Sequence, residues 1–64
     1  MTKFKIGDRV VITTTDGDGY YTKGQTGTID SKLLNGNGQP HHKVVFDHDG
    51  DYWFVSIRNM VLTG

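Results

Sequence analysis

His42-Lys43-Val44-Val45-Phe46-Asp47-His48-Asp49-Gly50-Asp51-Tyr52-Trp53-Phe54-Val55-Ser56 reads as a β-hairpin. Apolar and β-branched residues fill both arms, and Asp49-Gly50 supplies a tight reversal between them. The spacing predicts strands over His42–Asp47 and Tyr52–Ser56. Period-two alternation then puts Val44, Phe46, Trp53 and Val55 on one face, with Val45, Tyr52 and Phe54 on the other.

Toward the C-terminus, Ile57-Arg58-Asn59 fits a single 3₁₀ turn, and Met60-Val61-Leu62 fits a last short strand. Toward the N-terminus, Asn35-Gly36-Asn37-Gly38-Gln39-Pro40 reads as a loop. Before it, Gln25–Leu34 reads as a strand whose Gly27 marks a bulge or a close backbone approach. Residues 16–24 form a long loop, opened by Asp16-Gly17-Asp18-Gly19 and carrying the adjacent Tyr20 and Tyr21, which either fold back onto the body or serve a contact. Arg9–Thr15 is the first strand, preceded by a turn at Gly7-Asp8.

Composition agrees with an all-β chain. Among 64 residues there is no Ala, Glu or Cys, whereas eight Thr, six Val and four Ile favour strands. The length fits one domain spanning residues 1–64, with a small core and a stability of about 3–5 kcal/mol. No disulfide can form, and the usual thiolate zinc sites are excluded. Lys and Arg balance Asp at a formal net charge of zero, so the chain lacks the broad positive field of a phosphate binder. No apolar run is long enough for a membrane span, and Met1-Thr2-Lys3-Phe4-Lys5 lacks a signal-peptide core. A cytoplasmic protein is expected. An initiating Met1 and a fold that fills the chain lead to the further expectation of a complete, stand-alone product.

Five short strands, a long first loop, a tight hairpin and a one-turn link before the last strand make the order of a partly open SH3-like barrel. Its expected interior is Val10, Ile12, Ile29, Val44, Phe46, Trp53, Val55 and Leu62, with Ile6 closing one end. Val11, Val45, Tyr52 and Phe54 face outward, joined by Tyr20 and Tyr21. A register slip would instead turn Trp53 outward, making an aromatic platform with Tyr20, Tyr21 and Val11.

The segments Phe4-x-Ile6-Gly7-Asp8-x-Val10-x-Ile12, Gly24-x-x-Gly27-Thr28-Ile29, Val44-Val45-Phe46-Asp47 and Tyr52-Trp53-Phe54-Val55 resemble a widespread small-barrel pattern. The first two look like the opening strands of KOW domains of ribosomal and transcription elongation proteins. The whole is similar to Mind-bomb type SH3-like domains, to the barrel subunit of photosystem I, and to stand-alone bacterial and phage accessory proteins. The resemblance implies architecture more than activity. Proline-binding SH3 domains resemble the run at residues 49–53, but their groove uses a late Pro that this chain lacks.

Candidate chemistry is sparse. Asp47-His48-Asp49-Gly50-Asp51 suggests a calcium loop, but a loop counted from Asp47 has Tyr52 at position 6 and Arg58 at position 12, where Gly and Glu are required. His41 and His42 are adjacent in a strand and face opposite sides, so they read as solvated imidazoles at strand ends; His48 could approach one of them across the hairpin. No nucleophile sits with a base in any recognisable motif, and no Gly-rich segment precedes a helix. The expectation is a protein without catalytic activity, metal or cofactor. It would recognise a protein partner through Val11, Tyr20, Tyr21, Val45, Tyr52 and Phe54. The alternative is a KOW-like binder of RNA or single-stranded DNA using Lys23, Lys32, Lys43 and Arg58. A monomer or a weak homodimer suits a barrel this small.

Overall fold

The computed structural model describes residues 4–36 and 38–63. Its strands are β1 (Arg9–Ile12), β2 (Thr26–Ile29), β3 (Leu34–Gly36), β4 (Gln39–Phe46), β5 (Tyr52–Ser56) and β6 (Met60–Leu62), with a 3₁₀ turn at Ile57–Asn59 leading into β6. All pairings are antiparallel. The sheet runs β3-β4-β2-β1-β6, and β5 pairs with β4. Among the described residues no ladder joins β5 to β6.

The expected five strands are six. Asn35-Gly36 and Gln39-Pro40, expected in a loop, are paired as the ends of β3 and β4; Asn37, between them, lies outside the described residues. The anticipated Gln25–Leu34 strand breaks after Ile29 because Ser31 takes over its bonds to β4. The Asp30 amide still donates to the Lys43 carbonyl. The Ser31 hydroxyl then accepts from the Lys43 amide, and its carbonyl accepts from His42 Nδ1. With a side chain meeting the backbone of β4, the chain bends and rejoins the same edge further along as β3.

β1 stops at Ile12 rather than Thr15. The Thr13 amide still donates to the Asn59 carbonyl, in the register of β1 with β6, but Asn59 belongs to the 3₁₀ turn and the ladder ends there. Before β1, Gly7 adopts φ +95°, a conformation that a side chain disfavours, and its amide donates to the Ile29 carbonyl. At Gly27 the constraint is spatial. A Cβ there would lie 2.6 Å from the Val45 carbonyl oxygen and 2.7 Å from a Val44 methyl.

The core comprises Phe4, Val10, Ile12, Tyr21, Ile29, Val44, Phe46, Val55 and Met60, with Trp53 and Ile57 packed partly against it. Six of the expected interior residues are there. Ile6 and Leu62 are not: they are 66 % and 46 % exposed. Leu62 pairs with Val10 but lies on β6, whose other edge has no strand beside it among the described residues. Phe4, Tyr21 and Met60 complete the core instead, together with His42, which is 2 % exposed. The expected solvated imidazole is thus a buried one. Its Nδ1–H donates to the Ser31 carbonyl over 2.9 Å, and its ring meets Phe4 edge-on.

Candidate functional site

The two adjacent tyrosines of the first loop part company. Asp16 organises the turn that separates them: its amide donates to the Tyr21 carbonyl and its carboxylate accepts from the Tyr20 amide. Tyr21 drops into the core beside Phe46, and its hydroxyl accepts from Asn59 Nδ2 at 2.9 Å. It is therefore an anchor for the loop rather than the outward contact residue expected. Tyr20 swings out and lies flat on Trp53, with centroids 3.8 Å apart and planes 7° from parallel.

Trp53 keeps the inward register, without the slip that would have turned it outward with Tyr21 and Val11, yet it still stacks on Tyr20. It pairs with Val44, on the inward side of β5, and packs partly against the core. Sitting near the start of β5, its ring reaches past the core to carry Tyr20. Tyr52 and Phe54 alternate outward from β5 and are 48 % and 44 % exposed, Tyr20 54 %. Phe54 meets Tyr52 and His41 edge-on, and Trp53 at a tilt. Nothing in residue spacing pointed to His41 as part of this cluster; its neighbour in the register is Ser56, with Phe54 diagonal to it.

Val45 joins the cluster as the half-buried partner of Tyr52. Val11 does not. It pairs with Thr26 and Val61, on the same outward face as Val45 but two strands away. Between the two groups runs a polar network that spacing did not reveal. The Arg9 guanidinium grips both carboxylate oxygens of Asp47, donates to Thr28 Oγ1 at 2.8 Å, and so ties β1 and β2 to the end of β4. Thr26 Oγ1 donates to the same carboxylate. These hydrogen bonds hold the Asp47 carboxyl down to about 2 and raise Arg9 above its ordinary value.

Of the candidate phosphate contacts, Lys43 is already engaged. Its ammonium lies 4.3 Å above the Tyr52 ring and 3.5 Å from the Asp30 carboxylate. Lys23, Lys32 and Arg58 are exposed on three separate segments: the first loop, the bend after β2 and the 3₁₀ turn.

Two open grooves flank Phe54. One, of about 570 Å³, lies between the first loop and the β4–β5 hairpin, walled by Tyr20, Trp53, Tyr52 and Phe54 with Asp49 and Asp51 at its rim. The other, of about 470 Å³, includes Asp16, His41, Ser56 and Asn59. Tyr21 and Phe54 line both. Among the described residues no three His or Asp side chains converge on one point as metal ligands. The hairpin acids have local partners instead. Asp49 accepts from the Asp51 amide and contacts His48, and Asp51 accepts from the Tyr52 amide. His48 contacts Gln25 and Phe46, whereas His41 contacts the Gln39 carbonyl and Phe54. Comparison with known protein families, with curated proteins and with solved structures found no match.

Proposed function

We propose that this chain is an SH3-like, partly open barrel that acts as a non-catalytic protein-binding module. The barrel reading rests on β1 pairing with both β2 and β6, on the long first loop, and on the 3₁₀ turn before the last strand. The binding reading rests on one observation above all. Tyr20, Trp53, Tyr52 and Phe54 gather around a single groove while three of them remain about half exposed. Exposed aromatic rings held rigid by their neighbours are the side chains that dominate protein interfaces. Nucleic-acid binding is less well supported, because Lys43 already has partners and the remaining cations are dispersed.

The test is affinity capture with wild-type protein and with Phe54→Ala, each variant first checked for folding by near-ultraviolet circular dichroism. Loss of a captured protein in Phe54→Ala, with retention in Lys32→Ala, supports the module. Equal capture by all three overturns this surface. Binding of single-stranded RNA that weakens steeply with salt and is lost in Lys23→Ala and Lys32→Ala would replace it with the nucleic-acid reading.

A further inference from the structure

The hydrogen-bond parity of the hairpin decides what the edge of β5 offers. The Phe46 amide donates to the Asp51 carbonyl, and in an antiparallel ladder such bonded pairs recur every second residue. With Val44 opposite Trp53 and His42 opposite Val55, those two residues of β5 turn their peptide groups toward β4. Lys43 confirms the parity from the other side: its amide and carbonyl bond to Ser31 and Asp30, away from β5. The amide and carbonyl of Phe54 and the amide of Ser56 therefore point to the outer edge of β5. Among the described residues no strand pairs with that edge, and Phe54 makes no backbone bond there. The Tyr52 amide, one step earlier, is already met by Asp51. The Ser56 carbonyl, at the cap of the 3₁₀ turn, is taken by that turn's first bond, so an extended chain could add its backbone at the Phe54 amide and carbonyl and at the Ser56 amide.

Charge selects what kind of chain. The molecule is formally neutral, yet among the described residues no Lys or Arg lines either groove beside this edge, whereas Asp49, Asp51 and Asp16 do. Aromatic faces beside carboxylates favour a cation. Lys43 over the Tyr52 ring shows the same contact already made within the chain. A second copy would fit poorly, because β3, β5 and β6, the strands it could offer at an edge, carry no Lys or Arg.

Resting on the binding-module reading, we infer that the partner presents an extended basic peptide, which adds as a strand to the outer edge of β5 and places a Lys or Arg side chain in the groove between Tyr20, Trp53 and the two hairpin acids. Its backbone supplies adhesion at Phe54 and Ser56, and its cation supplies selectivity.

A random peptide display library selected on the wild-type protein tests this, with the enriched peptides then synthesised and measured singly. The expected peptides carry Lys or Arg, bind about tenfold more weakly to the Asp49→Asn/Asp51→Asn double variant, and weaken further as salt rises. Asn can still accept from the same amides, so the hairpin keeps its caps. Bound peptide should also slow hydrogen exchange at the Phe54 amide, and N-methylation of alternate peptide amides should abolish binding in one register only. Neutral or acidic peptides that bind the double variant normally but lose affinity for Phe54→Ala would overturn the basic partner and leave the module intact. Basic peptides that leave Phe54 exchange unchanged would overturn strand addition. Protection of Phe54 that grows with protein concentration alone, with dimer seen in sedimentation, would assign the edge to a second copy and also overturn the inference. Enriched peptides indifferent to both Phe54→Ala and Tyr20→Ala, or no enrichment at all, would bring down the module reading itself.

Discussion

Tyr20 and Trp53 lie in parallel contact, 3.8 Å between ring centroids, although they are separated by most of the sheet in sequence. The contact clamps the tip of a long loop onto the start of β5 and leaves the outer face of Tyr20 to solvent. Removing the upper ring should uncover the lower one. Tyr20→Ala is expected to shift the emission of Trp53, the only tryptophan, to longer wavelength and to cost about 1 kcal/mol in urea unfolding. An unchanged emission spectrum would mean that the stack does not form in solution.

Tyr21 behaves differently from its neighbour. Tyr21→Phe keeps the ring against Phe46 and deletes the hydroxyl that accepts from Asn59, so a loss of about 1 kcal/mol is expected. Tyr21→Ala would open the core and cost about 3 kcal/mol or more. A comparison of the two urea midpoints checks this. Equal losses would show that the hydroxyl's hydrogen bond, not packing of the ring, governs the site.

The Arg9–Asp47 pair gives the protein an acid-sensitive joint. The folded-state carboxyl sits at about 2, below its value of about 4 in an unfolded chain. A depressed pKa contributes stability that is complete above about pH 4 and is lost as the pH falls through about 2. Wild-type urea midpoints should therefore drop more steeply between pH 4 and pH 2 than those of Asp47→Asn, which lacks the ionisation. Above pH 5 the variant should be the less stable of the two. Parallel profiles would show that the pair contributes nothing.

Gly27 and Gly17 should respond oppositely to the same substitution. A Cβ at Gly27 collides with the backbone of β4, so Gly27→Ala is expected to cost about 2–3 kcal/mol. At Gly17 nothing lies within 4 Å of the new atom. Gly17→Ala should stay within about 0.5 kcal/mol of wild type. Thermal unfolding of the two variants side by side is sufficient.

His42→Ala should be among the most damaging single changes, because it both empties a buried site and orphans the Ser31 carbonyl. About 3 kcal/mol is expected. In a chain whose total stability is of the order of 3–5 kcal/mol, the variant should be largely unfolded without stabilising co-solutes. A cooperative transition near the wild-type midpoint would contradict the role assigned to the imidazole.

Strand β5, the 3₁₀ turn and β6 were readable residue by residue, because alternation and turn chemistry act over a few neighbours; β4, expected over His42–Asp47, begins three residues earlier and ends one earlier. What escaped depended on partners distant along the chain. Asn35-Gly36 resembles a loop until it is seen against Gln39-Pro40. His42 is polar and so reads as surface, yet a single carbonyl at Ser31 is enough to let it stay inside. Tyr21 sits among turn residues, and only its contacts with Phe46 and Asn59 reveal it as core. The outward site was legible at Tyr52, Phe54 and Tyr20, where exposure follows from alternation and loop position. Val11 was assigned to it because its alternation is right; the Arg9–Asp47 network that walls it off spans residues far apart in sequence.

The pairing of β1 with β6 has a kinetic consequence. Val10 meets Leu62, Ile12 meets Met60, and the Thr63 amide reaches the Arg9 carbonyl, so this ladder joins the two extremes of the chain. The β4–β5 hairpin, by contrast, closes across only a few residues. Loop-closure entropy favours the hairpin as an early event and makes the terminal ladder the late one. Substitutions at Val55 should then slow folding, while those at Met60 should mainly hasten unfolding. A protein built this way opens first where its ends meet, and its central hairpin is the last part to let go.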